Sequence, residues 1–115
     1  MNIENFRTYC LSLVATSESL PFDENTLVFK VGTKMFALTS LNSDTLSANL
    51  KCDPDYALEL REQYSCITPG FHMNKKHWNS ISPNDCLDNK LFYELVKHSY
   101  DLVLTKMTKK ERAML

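Results

Sequence analysis

The sequence predicts a two-layer α+β domain, an antiparallel five-stranded sheet with helices mainly on one face, in the order α-β-β-β-α-β-β-α. Apolar residues recur at helical spacing near both ends of the chain, and alternating runs rich in β-branched and aromatic residues fill the stretch between them. Gly32, Pro54 and Pro69-Gly70 punctuate those runs where turns or a helix start are needed. The 115 residues amount to one ordinary domain, so residues 1–115 are expected to share a single core.

Ile3, Phe6, Cys10, Leu13 and Val14 predict an amphipathic helix from about Asn2 to Val14. Thr16-Ser17-Glu18-Ser19 and Pro21 should stop it, with Leu20, Phe22 and Asp23 carrying the chain across to the sheet. Thr26 to Val31 and Met35 to Leu41 then form a hairpin around Gly32-Thr33-Lys34, since Gly32 tolerates positive φ. In its first arm Leu27, Phe29 and Val31 share one face and Val28 and Lys30 the other. In the second, Phe36 and Leu38 should alternate with Met35, Ala37 and Thr39.

Leu46, Ala48, Leu50 and Cys52 alternate with Ser47, Asn49, Lys51 and Asp53, which predicts a third strand with Lys51 on its solvent side. Asp53 suits an N-cap, and Pro54 suits the first helical position because its missing N–H would be unpaired there anyway. That helix should run to about Tyr64, burying Ala57, Leu60 and Tyr64 with Tyr56 beside them and leaving Glu59, Arg61 and Glu62 solvated. Ser65 to Thr68 and roughly Lys76 to Ile81 read as two more strands, with Pro69-Gly70 as a turn and Asn74-Lys75 in the connection. Ser82-Pro83-Asn84-Asp85 breaks the pattern before Asp88 or a neighbour caps the last helix. Leu91, Leu95, Ser99, Leu102 and Met107, widened by Phe92, Val96 and Val103, give that helix an apolar side. Thr108 to Arg112 forms a charged, fraying end.

Apolar content of 43% and charged content of 23% are those of a globular protein. No apolar run approaches the roughly 18 to 20 residues that span a bilayer, and Met1 to Asn5 lacks the order of a signal peptide. A cytoplasmic protein without membrane contact is therefore expected. Cys10, Cys52, Cys66 and Cys86 form no Cys-x-x-Cys pair; their even count would allow disulfides in a secreted protein, but Cys10 and Cys52 fall at apolar positions, which favours buried free thiols. Neither a metal nor a cofactor is expected.

The densest chemistry lies in Pro69-Gly70-Phe71-His72-Met73-Asn74-Lys75-Lys76-His77-Trp78-Asn79, which holds two lysines, two histidines and the only tryptophan. On nucleic acid, the Lys75 and Lys76 ammonium groups would meet phosphate, His77 would donate a hydrogen bond and Trp78 would stack on a base. Lys51 would extend the patch if its strand lies near that of Trp78. Against this stand a bland alternative, in which Trp78 closes the core and the lysines only protect a sheet edge, and a net charge of -1, which supplies no broad basic face. His72 and His77 with Cys66 match no metal-site spacing, so His72 is expected to bond a nearby carbonyl and His98 to lie on the exposed side of its helix. There is no Gly-x-Ser-x-Gly elbow, phosphate-binding glycine loop or His-Glu-x-x-His motif, so a non-catalytic protein is expected.

This run closely resembles the hallmark segment of the MmcQ/YjbR family of small bacterial and archaeal proteins. Thr26-Leu27-Val28-Phe29-Lys30-Val31, Lys34-Met35-Phe36-Ala37, Asn49-Leu50-Lys51-Cys52, and Ser99-Tyr100 before Leu102-Val103 follow the family's landmarks in order, so the likeness extends from about Ile3 to Met107. The resemblance implies the fold predicted above and a DNA-binding role, for which Lys51, Lys75, Lys76, His77 and Trp78 are the candidate contacts. The fold is shared with secretion-chaperone-like proteins, which bind protein partners. A protein partner or a homodimer formed through the sheet face of Val28 and Ala37 is therefore the alternative, and Tyr56, Tyr93 and Tyr100 fit either a core edge or a partner surface.

Overall fold

The computed structural model describes residues 2–84 and 86–115, so Met1, and Asp85 in the predicted break before the last helix, lie outside the described residues. Its elements in chain order are α1 (Ile3–Ser12), β1 (Thr16–Ser19), β2 (Thr26–Val31), β3 (Lys34–Ser40), β4 (Ala48–Lys51), α2 (Pro54–Gln63), β5 (Ile67–Pro69), β6 (Trp78–Ile81), α3 (Asn89–Thr105) and α4 (Lys109–Ala113). The strands form one antiparallel sheet in the order β1-β2-β3-β4-β6-β5. The sheet has six strands, not five.

The additional strand is Thr16–Ser19, expected only as a helix stop. Ala15 takes φ 63° and swings the chain back so that Thr16 lies opposite Val31 and Ser19 opposite Val28. Arg7 of α1 grips both carboxylate oxygens of Glu18, which fixes this polar strand against its helix. Helix α1 therefore ends at Ser12, and Val14 is exposed instead of completing the apolar stripe. Thr108 to Ala113 is more than a frayed tail: Thr108 and Glu111 form a reciprocal capping box that starts α4.

Helices α1, α2 and α3 pack on one face of the sheet. Phe6, Cys10, Ala57, Leu60, Phe92, Leu95 and Val96 join Phe29, Val31, Leu50 and Ile81 in one cluster. The Phe6 and Phe29 rings meet edge to face at 5.5 Å. Asp53 caps α2 through the Tyr56 amide, and Asp88 caps α3 through the Leu91 amide, as the sequence predicts.

The alternation expected in β3 fails at a bulge. Phe29 lies opposite Ala37 and Lys30 opposite Met35, so Phe36 is the extra residue. Phe36 and Ala37 both enter the main core, whereas Leu38 moves to the other face with Val28. Two-residue spacing alone cannot foresee that slip. The hairpin turn is Gly32-Thr33, and Gly32 at φ 59° is the residue that meets its backbone demand.

Cys10 and Cys52 are free and buried, and burial pushes the Cys52 thiol up to about 12 and the Cys10 thiol higher still. Cys66 and Cys86 depart from the expectation of free thiols and form a disulfide with Cα atoms 6.1 Å apart, because the fold brings the start of β5 beside the segment before α3. The sheet's two outer strands are short. β1 reads Thr-Ser-Glu-Ser, and β5 has three residues ending in Pro69, which has no amide hydrogen to offer. Among the described residues no helix is long and apolar enough to cross a membrane.

Candidate functional site

The sheet face turned away from the helices carries a second, smaller apolar cluster of Val28, Leu38 and Trp78, against which Met35 and Met73 pack. Trp78 is the centre of this face. It is 7% exposed, so the indole does not stand out into solvent as stacking on a base would require, and it closes an apolar cluster as the alternative reading expects. The residues from Gly70 to His77 fold over the sheet and cover it. Gly70 donates its amide to the Trp78 carbonyl at 2.9 Å, and Asn74 accepts the amides of His77 and Trp78 at 3.2 and 3.0 Å.

That turn needs glycine for space. A Cβ at Gly70 would lie 2.8 Å from the Trp78 Cβ and 3.0 Å from its carbonyl oxygen. Arg61 secures the turn from the opposite side, donating from Nε to Asn79 Oδ1 at 2.7 Å and from Nη2 to the carbonyls of Lys75 and Trp78. Arg61 was expected on the solvated side of α2. Its guanidinium instead holds the backbone of the segment the sequence singles out, and no helical periodicity could have revealed this.

Strands β4 and β6 pair with Lys51 directly opposite Trp78, which meets the condition for Lys51 to join the patch. Lys51 is half-buried and lines a cleft of about 310 Å³ with Trp78, Met35, Lys34, Lys106 and Glu111. Burial first, then the positive charges of Lys106 and Lys34, hold the Lys51 ammonium below the ordinary lysine range. Among the described residues Glu111 is the only carboxylate lining the cleft, and it sits 3.8 Å from Lys34. Three cations thus face one anion.

The other expected contact residues lie elsewhere. Lys75 is exposed and turns its ammonium onto the Gly70 carbonyl at 3.3 Å, Lys76 is exposed, and His77 is half-buried with its carbonyl accepting the Cys52 amide at 2.8 Å. None of these three lines the cleft of Lys51. The lysines that do, Lys34 and Lys106, were missed. Lys34 follows the hairpin turn and Lys106 caps the end of α3, so only the folded sheet brings them to Lys51.

On the sheet face turned away from the helices, next to Lys51 along β4, lies a wider groove of about 490 Å³. Phe22 and Phe71 stand on its rim, 64% and 69% exposed, and Leu38, Met73 and Asn49 line it. His72 takes φ 60° and sets its ring 4.0 Å from that of Phe71, in place of the carbonyl contact expected for it. His98 is half-buried, not exposed, and its Nε2 accepts the Asp53 amide at 3.2 Å. Cys66 is committed to its disulfide, and Tyr100 proves to be a core-edge residue, donating from its hydroxyl to the Val14 carbonyl at 2.6 Å. Val28 does face away from the helices, but Ala37 does not.

Among curated proteins, the chain is 35% identical to the uncharacterised protein YbdF of Escherichia coli O157:H7, covering 95% of this chain and 89% of YbdF. It is 28% identical to the uncharacterised protein YjbR of Escherichia coli strain K12, covering 100% of this chain and 98% of that one. Among solved structures, the Deinococcus radiodurans protein DR2400, of the domain family DUF419, superposes with a TM-score of 0.92 at 40% identity, over 98% of this chain and 86% of its own. A Pseudomonas syringae protein superposes with a TM-score of 0.76 at 28% identity, over 89% and 98% of the two chains. The YjbR family model matches residues 11–102. The chain therefore belongs to the YjbR family.

Proposed function

We propose that this chain is a non-catalytic DNA-binding domain that meets the phosphate backbone at the cleft of Lys34, Lys51 and Lys106, where the end of α3 and the start of α4 meet the sheet beside Trp78. One observation carries the reading. Three ammonium groups crowd a half-buried cleft with a single carboxylate among its lining residues, and Lys51 is held below its ordinary pKa in part by its two cationic neighbours. A phosphate oxygen placed there would relieve that repulsion and satisfy donors that protein groups leave to solvent. With a net charge of -1 the chain has no long-range pull, so binding would depend on this local site and be weak, with Kd roughly 10⁻⁴ to 10⁻⁶ M.

Lys75 and Lys76 have a secondary place in this reading, as exposed charges on the covering turn. The test is titration of fluorescent DNA at low and moderate salt against wild type, Lys51→Ala/Lys106→Ala and, as a control with the same charge loss on α3, Lys90→Ala/Lys97→Ala. The cleft variant should lose most of the affinity and much of the salt dependence while the control keeps both. Equal binding by all three proteins, or none by wild type at low salt, would discard the reading.

A further inference from the structure

We infer that the groove beside the basic cleft is a receptor for an unpaired nucleobase, which makes single-stranded nucleic acid the preferred ligand of this face. The inference rests on the DNA-binding reading and narrows it. The chain has six phenylalanines, and Phe6, Phe29, Phe36 and Phe92 are fully buried. Phe22 and Phe71, the two exposed ones, come from segments far apart in sequence yet line the same groove.

Exposed aromatic rings cost solubility unless something stacks on them, and a base is a flat partner of suitable size. The groove is also polar where a base would need it. Asn49 lines it, its Oδ1 accepting the Ser80 hydroxyl and its Nδ2 held only at 3.4 Å from the Phe71 carbonyl, which leaves that amide hydrogen the one a base could compete for, while the Thr39 hydroxyl is committed to the Ser47 carbonyl. Asp23 on the rim, its carboxylate accepting the Asn25 and Thr26 amides at 2.8 Å, disfavours a phosphate there. The groove thus suits the base and the cleft suits the backbone.

The two sites are contiguous. Asn49 of the groove and Lys51 of the cleft lie two residues apart on β4, a separation of roughly 7 Å, with the Trp78 and Met73 cluster between them. In a duplex the bases are stacked inside, where a concave protein groove cannot receive them without flipping. A single strand offers phosphate and base together.

The experiment compares three fluorescent oligonucleotides of equal length, a single strand, its duplex and an abasic single strand, with wild type and with Phe22→Ala/Phe71→Ala. Wild type should bind the single strand at least about tenfold more tightly than the abasic strand and more tightly than the duplex. The phenylalanine variant should lose that preference while keeping salt-dependent binding to the abasic strand. Equal affinity of wild type for all three oligonucleotides would overturn the inference and leave the basic cleft standing. No binding of any of them at low salt would remove the DNA-binding reading itself. Light scattering on both proteins adds an independent arm, because a wild-type dimer made monomeric by the phenylalanine substitutions would assign the groove to a second copy of the chain and overturn the inference.

Discussion

The backbone amide of Lys51 donates to the hydroxyl of Ser99 at 2.9 Å, and Ser99 is completely buried. The same hydroxyl donates to the carbonyl of Phe36, the residue extruded by the β3 bulge. One small side chain on α3 therefore satisfies two sheet groups that the irregular ladder leaves open, and holds Lys51 where its side chain meets Lys34 and Lys106.

Replacing Ser99 by alanine should be far more damaging than the loss of one oxygen suggests. It leaves the Lys51 amide and the Phe36 carbonyl without their partner, at about 1 to 3 kcal/mol for each buried group. Urea denaturation should show a loss of at least roughly 2 kcal/mol. A loss below about 0.5 kcal/mol, the range of ordinary surface changes, would mean that the bulge is satisfied in another way.

Gly70→Ala tests the close approach of the covering turn to Trp78. The added methyl meets the Trp78 Cβ and carbonyl, neither of which can rotate aside. Overpacking of this kind costs about 1 to 3 kcal/mol. Thermal unfolding followed by the fluorescence of the single tryptophan should show the lower midpoint, together with a change in native emission as the indole is uncovered.

Arg61→Ala should loosen the same turn from the other side. Its hydrogen bonds from a charged donor to Asn79 and to the carbonyls of Lys75 and Trp78 are worth about 1.5 to 3 kcal/mol each where they are shielded from water. Arg61→Lys cannot reproduce the forked geometry and should restore little of the loss. Amide exchange would localise the effect, with faster exchange at His77 and Trp78 than in wild type. Unchanged rates there would detach Arg61 from the turn.

His98 predicts a pH effect with a definite sign. Burial holds its pKa below the ordinary 6.5 despite the opposing pull of Asp53 and Asp101, and its unprotonated Nε2 accepts the Asp53 amide at the start of α2. The unfolded chain therefore binds this proton more readily than the folded one. The stability contributed is full above about pH 6.5 and declines as pH falls from there toward the lowered folded value. Wild type should lose stability across that window, and His98→Gln should show a flatter profile. Parallel profiles for the two proteins would remove His98 as the cause.

The helices and the hairpin were legible because their signals are local. Asp53-Pro54, Asp88 and Gly32 each act within a few residues, and the apolar stripes need only one element to be seen. The missing strand was not legible, since Thr-Ser-Glu-Ser has no apolar alternation and pairs only because Ala15 turns the chain and Arg7 holds Glu18. The candidate site was half legible. Trp78 and Lys51 are brought together by the pairing of β4 and β6, but Lys34 and Lys106 stand 17 and 55 residues from Lys51, separations that no spacing rule connects, whereas Lys75 and Lys76 lie on the covering turn and outside this cleft.

The abbreviated outer strands have a consequence for how this molecule can meet others. One rim is hydroxylated and carries a glutamate, and the other ends on a residue unable to donate, so neither invites a neighbouring chain to continue the ladder. Lateral polymerisation is thereby discouraged at both ends. Both rims disfavour added strands, and a contact on the broad side of the sheet would be carried by side chains and not by borrowed backbone pairing.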